Sequence, residues 1–144
     1  MAAWAGNEAK LVMPRWLLLL ASALGRLGQA RAGLDGIEEG LALVIETKER
    51  WNAAELHLRK GELLLASSAA DKAEASFREA LAVARDQSAK LWELRAAIHL
   101  ARLRRDRAKR EEARELLAPV YGWFSEGFDT PDMIDAKALL EELS

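Results

Sequence analysis

The chain contains no cysteine. That excludes disulfides, thiolate metal sites and thiol nucleophiles together, and it fits a reducing, cytoplasmic setting. The only histidines are His57 and His99, and no cysteine completes a metal site with them. Proline is scarce, with three in 144 residues, and β-branched residues are sparse. Alanine, leucine, glutamate and arginine dominate instead, so intrinsic propensity favours helix almost throughout and predicts an all-α chain. Charge of one sign is also lacking. A formal net charge of -2 points neither to nucleic acid nor to an anionic membrane as the main partner. No apolar run is long enough to span a bilayer, because Lys10, Pro14 and Arg15 interrupt the first twenty-odd residues. Lys10 and Arg15 before Trp16 to Leu20, with Ala21-Ser22-Ala23 after, imitate a secretory leader. Glu8, the late Pro14 and Arg15 and the short apolar run argue against one.

Catalytic patterns are missing too. The nine glycines form no phosphate-binding loop, and Gly33, Gly36 and Gly40 fit neither nucleotide fingerprint. Carboxylates such as Glu38 with Glu39, or Glu111 with Glu112, are adjacent and point to different parts of a helix surface. They read as solvated helix starts, where negative charge suits the helix dipole. The expectation is a chain with no catalytic residue, no cofactor and no metal, hence not an enzyme.

What the sequence does contain is a repeat. Gly61, Ala73, Phe77 and Ala80 are echoed upstream by Gly28, Gly40, Val44 and Thr47, and downstream by Ala101, Ala113, Leu117 and Val120. In each copy the first small residue lies twelve positions before the second. A small residue lets two helices approach closely, while residues at i, i+4 and i+7 share one helical face. Such a unit buries its face only by stacking on copies of itself, the behaviour of solenoid repeats, which mostly bind rather than catalyse.

The elements follow from local chemistry. Residues 1–10 read as the remnant of a preceding repeat. Pro14 suits the first turn of a helix running to about Ala32, which Gly33 ends, and Asp35 with Glu38 offers a capping pair for the next. That next helix carries Ile37, Leu41, Val44 and Ile45. A third opens at Trp51 with Leu56, Leu58, Leu63, Leu64 and Leu65, and breaks at Ser67 to Ala70. Asp71 and Glu74 repeat the capping spacing for a fourth, which ends near Asp86. A fifth spans about Ala89 to Arg105, and a sixth carries Ala113, Leu116, Leu117 and Val120. The aromatic-rich linker from Gly122 to Asp129 is expected to pack down. Thr130 then caps a last helix with Met133, Ala136, Leu140 and Leu143 inward and Asp132, Asp135, Glu141 and Glu142 on its other, solvent side.

At these residues the helix pairs resemble tetratricopeptide-like repeats, best at Gly61, Leu64, Ala73, Phe77 and Ala80. Lys60 stands where the motif prefers leucine and Arg85 where it prefers proline, and Ala73 to Ala113 spans 40 residues rather than about 34. The longer units are similar to those of bacterial signal-transduction ATPases. The stretches Ala54 to His57, Lys60 to Leu65 and Leu117 to Thr130 resemble the C-terminal end of large bacterial proteins. Those proteins join an adenylate or guanylate cyclase domain, or a winged-helix regulator, to an ATPase domain and then to repeats. The resemblance implies one α-α superhelical domain over residues 1–144, with repeats at 12–48, 50–87 and 89–122 and a capping helix at 130–143. It implies a non-catalytic interaction or regulatory module.

Repeats of this kind line a concave groove from the first helix of each pair. The resemblance places that groove at Ser22, Gly25, Gln29 and Ala32, then Glu55, Leu58, Glu62 and Leu65, then Arg95, Ile98, Arg102 and Arg105. Two readings follow. In one, a protein or peptide segment of complementary charge lies there, with Arg95, Arg102 and Arg105 taking carboxylates. In the other, Glu55 and Glu62 simply pair with Arg95 and Arg102 between helices. The run Arg102, Arg104, Arg105, Arg107, Lys109 and Arg110 reads as a solvated turn, since interspersed acids deny nucleic acid a continuous basic face. A separate expectation is homodimerisation through the apolar residues Trp4, Leu11, Val12 and Trp16.

Overall fold

A computed structural model describes residues 30–47 and 53–144. Outside them lie the remnant at 1–10, most of the first helix of the first repeat, Gly28, Trp51, the groove positions Ser22, Gly25 and Gln29, and the proposed self-association face. Among the described residues there are six helices and no strand: α1 (Ala30–Thr47), α2 (Ala53–Ala66), α3 (Ala70–Asp86), α4 (Lys90–Asp106), α5 (Arg110–Trp123) and α6 (Pro131–Leu143). The chain is all-α, as the composition predicts. None of these helices is long and apolar enough to cross a membrane. The chain divides into two compact units, Met1–Ser76 and Phe77–Ser144, with the division inside α3.

In the first unit α1 packs on α2. The expected helix end at Gly33 is overturned, because α1 runs unbroken through Gly33, Asp35 and Gly36, and the Asp35–Glu38 pair starts nothing. Gly33, Ile37, Gly40 and Val44 are all buried. They form one stripe at i, i+4, i+7 and i+11, so these glycines mark the inward face of the helix rather than its end. Tertiary packing overrides the helix penalty of about 1 kcal/mol for a glycine. Ile45, expected on this face, is 79% exposed.

The same stripe recurs forty residues on as Ala73, Phe77, Ala80 and Ala84, and again as Ala113, Leu117, Val120 and Phe124. All eight are buried except Phe124, which is half-buried. This periodicity places Gly33, not Gly40, in register with Ala73. The interleaved helices repeat likewise: Ala53, Glu93 and Met133 are buried at corresponding places, as are Leu56, Ala96 and Ala136, then Leu63, Leu103 and Leu143. Positions buried in α2 and α4, namely Ala54 with Leu94, Leu58 with Ile98 and Gly61 with Ala101, correspond in α6 to exposed Ile134, Ala138 and Glu141.

Three turns separate α2 to α5, and they share one geometry. Ser68, Ser88 and Ala108, twenty residues apart, adopt φ of 60°, 55° and 60°. The amide of the next residue donates to a carbonyl five residues back in each case: Ala69 to Leu64, Ala89 to Ala84 and Lys109 to Arg104, all at 2.8 Å. These are Schellman caps built without glycine. They set the helix starts as well. Ala73 N donates to Ala69 O, so Asp71 lies inside the first turn of α3 and is not its cap, contrary to the expected Asp71–Glu74 box.

The second unit buries Leu94, Ala97, Ile98 and Ala101 of α4 with Ala113, Leu117 and Val120 of α5 and Met133, Ala136, Leu139 and Leu143 of α6. Helix α6 touches both α4 and α5. Leu139 is buried here, while Leu140, expected in its place, is half-buried. From α3, Phe77 stacks on His99 of α4 with ring centroids 4.5 Å apart and planes within 3°. Packing of the aromatic linker is only partial. Tyr121 and Phe124 lie against the core and Tyr121 meets Phe128 at 5.9 Å, yet Trp123 is 60% exposed. Thr130 occupies the N-cap position of α6, but its hydroxyl donates backward to Gly127 O at 2.7 Å instead of capping the helix.

Candidate functional site

Burial of Leu94, Ala97, Ile98 and Ala101 turns a different flank of α4 outward, and Arg95, Arg102 and Arg105 share that flank at i, i+7 and i+10. Each meets a carboxylate of α6. Arg95 Nε donates to Asp132 Oδ2 at 3.0 Å while its guanidinium lies over the Trp92 ring, 4.6 Å from the centroid. A planar cation suits both contacts. Arg102 stands 3.9 Å from Asp135, and Arg105 donates to Glu142 Oε2 at 2.9 Å and to Asp106 Oδ1 at 3.1 Å. Arg110, the first residue of α5, donates to the Glu142 backbone carbonyl at 2.8 Å. Two cations thus meet the C-terminal end of α6, the negative end of its dipole. For Arg105, burial would lower the pKa, but hydrogen bonds to Asp106 and Glu142, with their charges, hold it above the ordinary arginine value.

The two short pairs fix the direction of the helices. Arg95 with Asp132 and Arg105 with Glu142 are both separated by 37 residues, so α4 and α6 run parallel. Asp132, Asp135 and Glu142 reach toward α4, yet Asp135 and Glu142 stay exposed and Asp132 half-buried, so the last helix keeps the polar outer side expected of it. Glu141, likewise exposed, lies outside these pairs.

Ile98, also expected in the groove, is 4% exposed and belongs to the core of the second unit, and the other described groove residues lie in the first. Glu55 and Glu62 are half-buried on α2, and Glu62 accepts from Arg59 on its own helix at 2.8 Å. Lys60 pairs with Glu38 of α1. Leu58 is 2% exposed, so its side chain belongs to the interior. The Arg-rich stretch is not uniformly solvated, since the Arg104 side chain is largely covered and lies 3.6 Å from Glu112. Sequence reasoning identified the arginines but missed their carboxylates. The matching signal is the placement of Asp132, Asp135 and Glu142 at i, i+3 and i+10 of α6, one flank of a helix.

One buried charge stands apart from this face. Glu93, 5% exposed, has one oxygen 3.4 Å from Lys90 Nζ and 3.8 Å from Arg85 Nε, and its other oxygen has no hydrogen-bond partner. Among the described residues no three His, Cys, Asp or Glu side chains gather to hold a metal ion. No protein-family model matches the chain, and neither a curated protein nor a solved structure is similar to it.

Proposed function

We propose that this chain is a non-catalytic interaction or regulatory module of tetratricopeptide-like type. In this reading it forms the terminal repeats of a signal-transduction protein of the ATPase or cyclase kind, and it holds a carboxylate-bearing segment of another protein on the basic flank of α4. The observation that carries the reading is the row Arg95, Arg102 and Arg105, placed on one flank and already engaged with carboxylates at 3.0, 3.9 and 2.9 Å. Arginine forks on a rigid helix recognise carboxylates with directional, charge-assisted hydrogen bonds. The forty-residue recurrence of the buried stripes supports the repeat architecture, since repeat units carry like buried faces at like positions.

Capture of partners on immobilised chain, wild type against Arg102→Glu, tests this. Recovery of an acidic protein by the wild type and its loss from the variant is the expected result. Equal recovery by both would remove the α4 flank from the reading.

A further inference from the structure

We infer that α6 is a built-in occupant of the carboxylate-binding flank of α4, and that an acidic partner segment gains that flank by competing with Asp132, Asp135 and Glu142. The inference rests on the function proposed above and adds the class of partner and the control on its access.

Three features of α6 lead here. Its carboxylates meet the arginines one to one, in a constant register at both ends. Its apolar residues Met133, Ala136, Leu139 and Leu143 are buried in the core, so the helix stays docked whether or not the charges are paired. The pairs also differ in tightness. Arg95–Asp132 and Arg105–Glu142 are hydrogen-bonded, whereas Arg102–Asp135 is 3.9 Å apart with side chains 41% and 58% exposed. Competition therefore takes place between carboxylates while the helix remains seated, and Arg102 is the first arginine an incoming carboxylate takes.

Spacing defines the partner. With a rise of 1.5 Å per residue, Arg95 and Arg102 are separated by about 10 Å along the helix axis and Arg102 and Arg105 by about 5 Å. An extended peptide rises about 3.3 Å per residue. The matching ligand carries acidic residues about three positions apart and then one or two further on, a short acidic run in extended conformation.

The test uses fluorescein-labelled hexaglutamate and the full chain, read by fluorescence anisotropy. Asp132→Asn, Asp135→Asn and Glu142→Gln together should tighten binding about tenfold, the scale expected for removing three exposed ion pairs, with Arg105 still held by Asp106. Adding Arg102→Glu should abolish the gain. Glu111→Gln, Glu115→Gln and Glu126→Gln, an equal change of charge elsewhere, should not reproduce it. Asp135→Asn alone should tighten binding about threefold with an unchanged thermal melt, since it removes the loosest pair. If hexaglutamate binds the wild type and the Asp135→Asn chain equally, or if the control triple gains as much, occupancy by α6 is overturned and the proposed groove stands. If no version binds hexaglutamate, both are overturned.

Discussion

Glu93 shows how one residue departs from an otherwise regular pattern. Ala53 and Met133 fill its place in α2 and α6, both buried, so an apolar side chain is the local rule. A buried carboxylate loses solvation worth several kcal/mol, and two cations at 3.4 and 3.8 Å repay only part of it. Glu93→Met, which copies the residue of α6 at similar length, should raise stability by about 1–2 kcal/mol. A thermal melt checks this, and a lower midpoint would mean the carboxylate is tied more firmly than its contacts indicate. Arg105 has its pKa raised, so its contribution is complete below the unfolded value and is lost only as pH rises through the higher folded one. From the arginine side, stability is therefore flat across the neutral range. At this scale the sequence was informative where a side chain sits on a helix face: Ala73, Phe77 and Ala80 are legible as a stripe and all three are buried. It was silent on which carboxylate an arginine meets, because face periodicity fixes an outward direction and leaves the neighbour open.

The three turns between α2 and α5 each place a non-glycine residue in the left-handed region. Ser68, Ser88 and Ala108 each have φ near 60°, a conformation costing roughly 1 kcal/mol for a residue with a Cβ. Ala108→Gly should therefore stabilise the chain by about 0.5–1 kcal/mol, read as a higher urea midpoint at constant slope. A lower midpoint would contradict the cap assignment. Within α5, Leu117 is fully buried between α4 and α6 residues, and Leu117→Ala should cost about 2–5 kcal/mol in the same assay. The helices themselves were largely legible, from apolar stripes and from the break at Ser67 to Ala70. Gly33 was not. Read locally, a glycine beside acidic residues is a stop and a cap, whereas in α1 it sits on the buried stripe. The cap geometry of the turns was missed for the converse reason, since a Schellman cap without glycine leaves no residue-type mark.

At the scale of the molecule, a forty-residue recurrence of buried faces runs through the described residues, and one charged flank lies in the second unit. That recurrence was visible only in part, as the spacing of Ala73 to Ala113, because aligning Gly40 with Ala73 hid its first copy. The groove set implied by the resemblance divides on burial, with Arg95, Arg102 and Arg105 half-buried on α4 and the Leu58 and Ile98 side chains interior. Exposed charge dominates the proposed contact, so hexaglutamate binding should weaken several-fold between about 50 and 300 mM salt. Salt-independent binding would point to an apolar surface such as that around Trp123 instead. The central claim is that partner carboxylates reach the α4 flank. The most direct measurement is a nuclear magnetic resonance titration of the assigned arginine Nε–Hε groups with hexaglutamate. Shifts are expected at Arg102 first, followed by Arg95 and Arg105, with Arg59 and Arg114 unmoved. Shifts spread evenly over all arginines, or confined to residues away from α4, would contradict it.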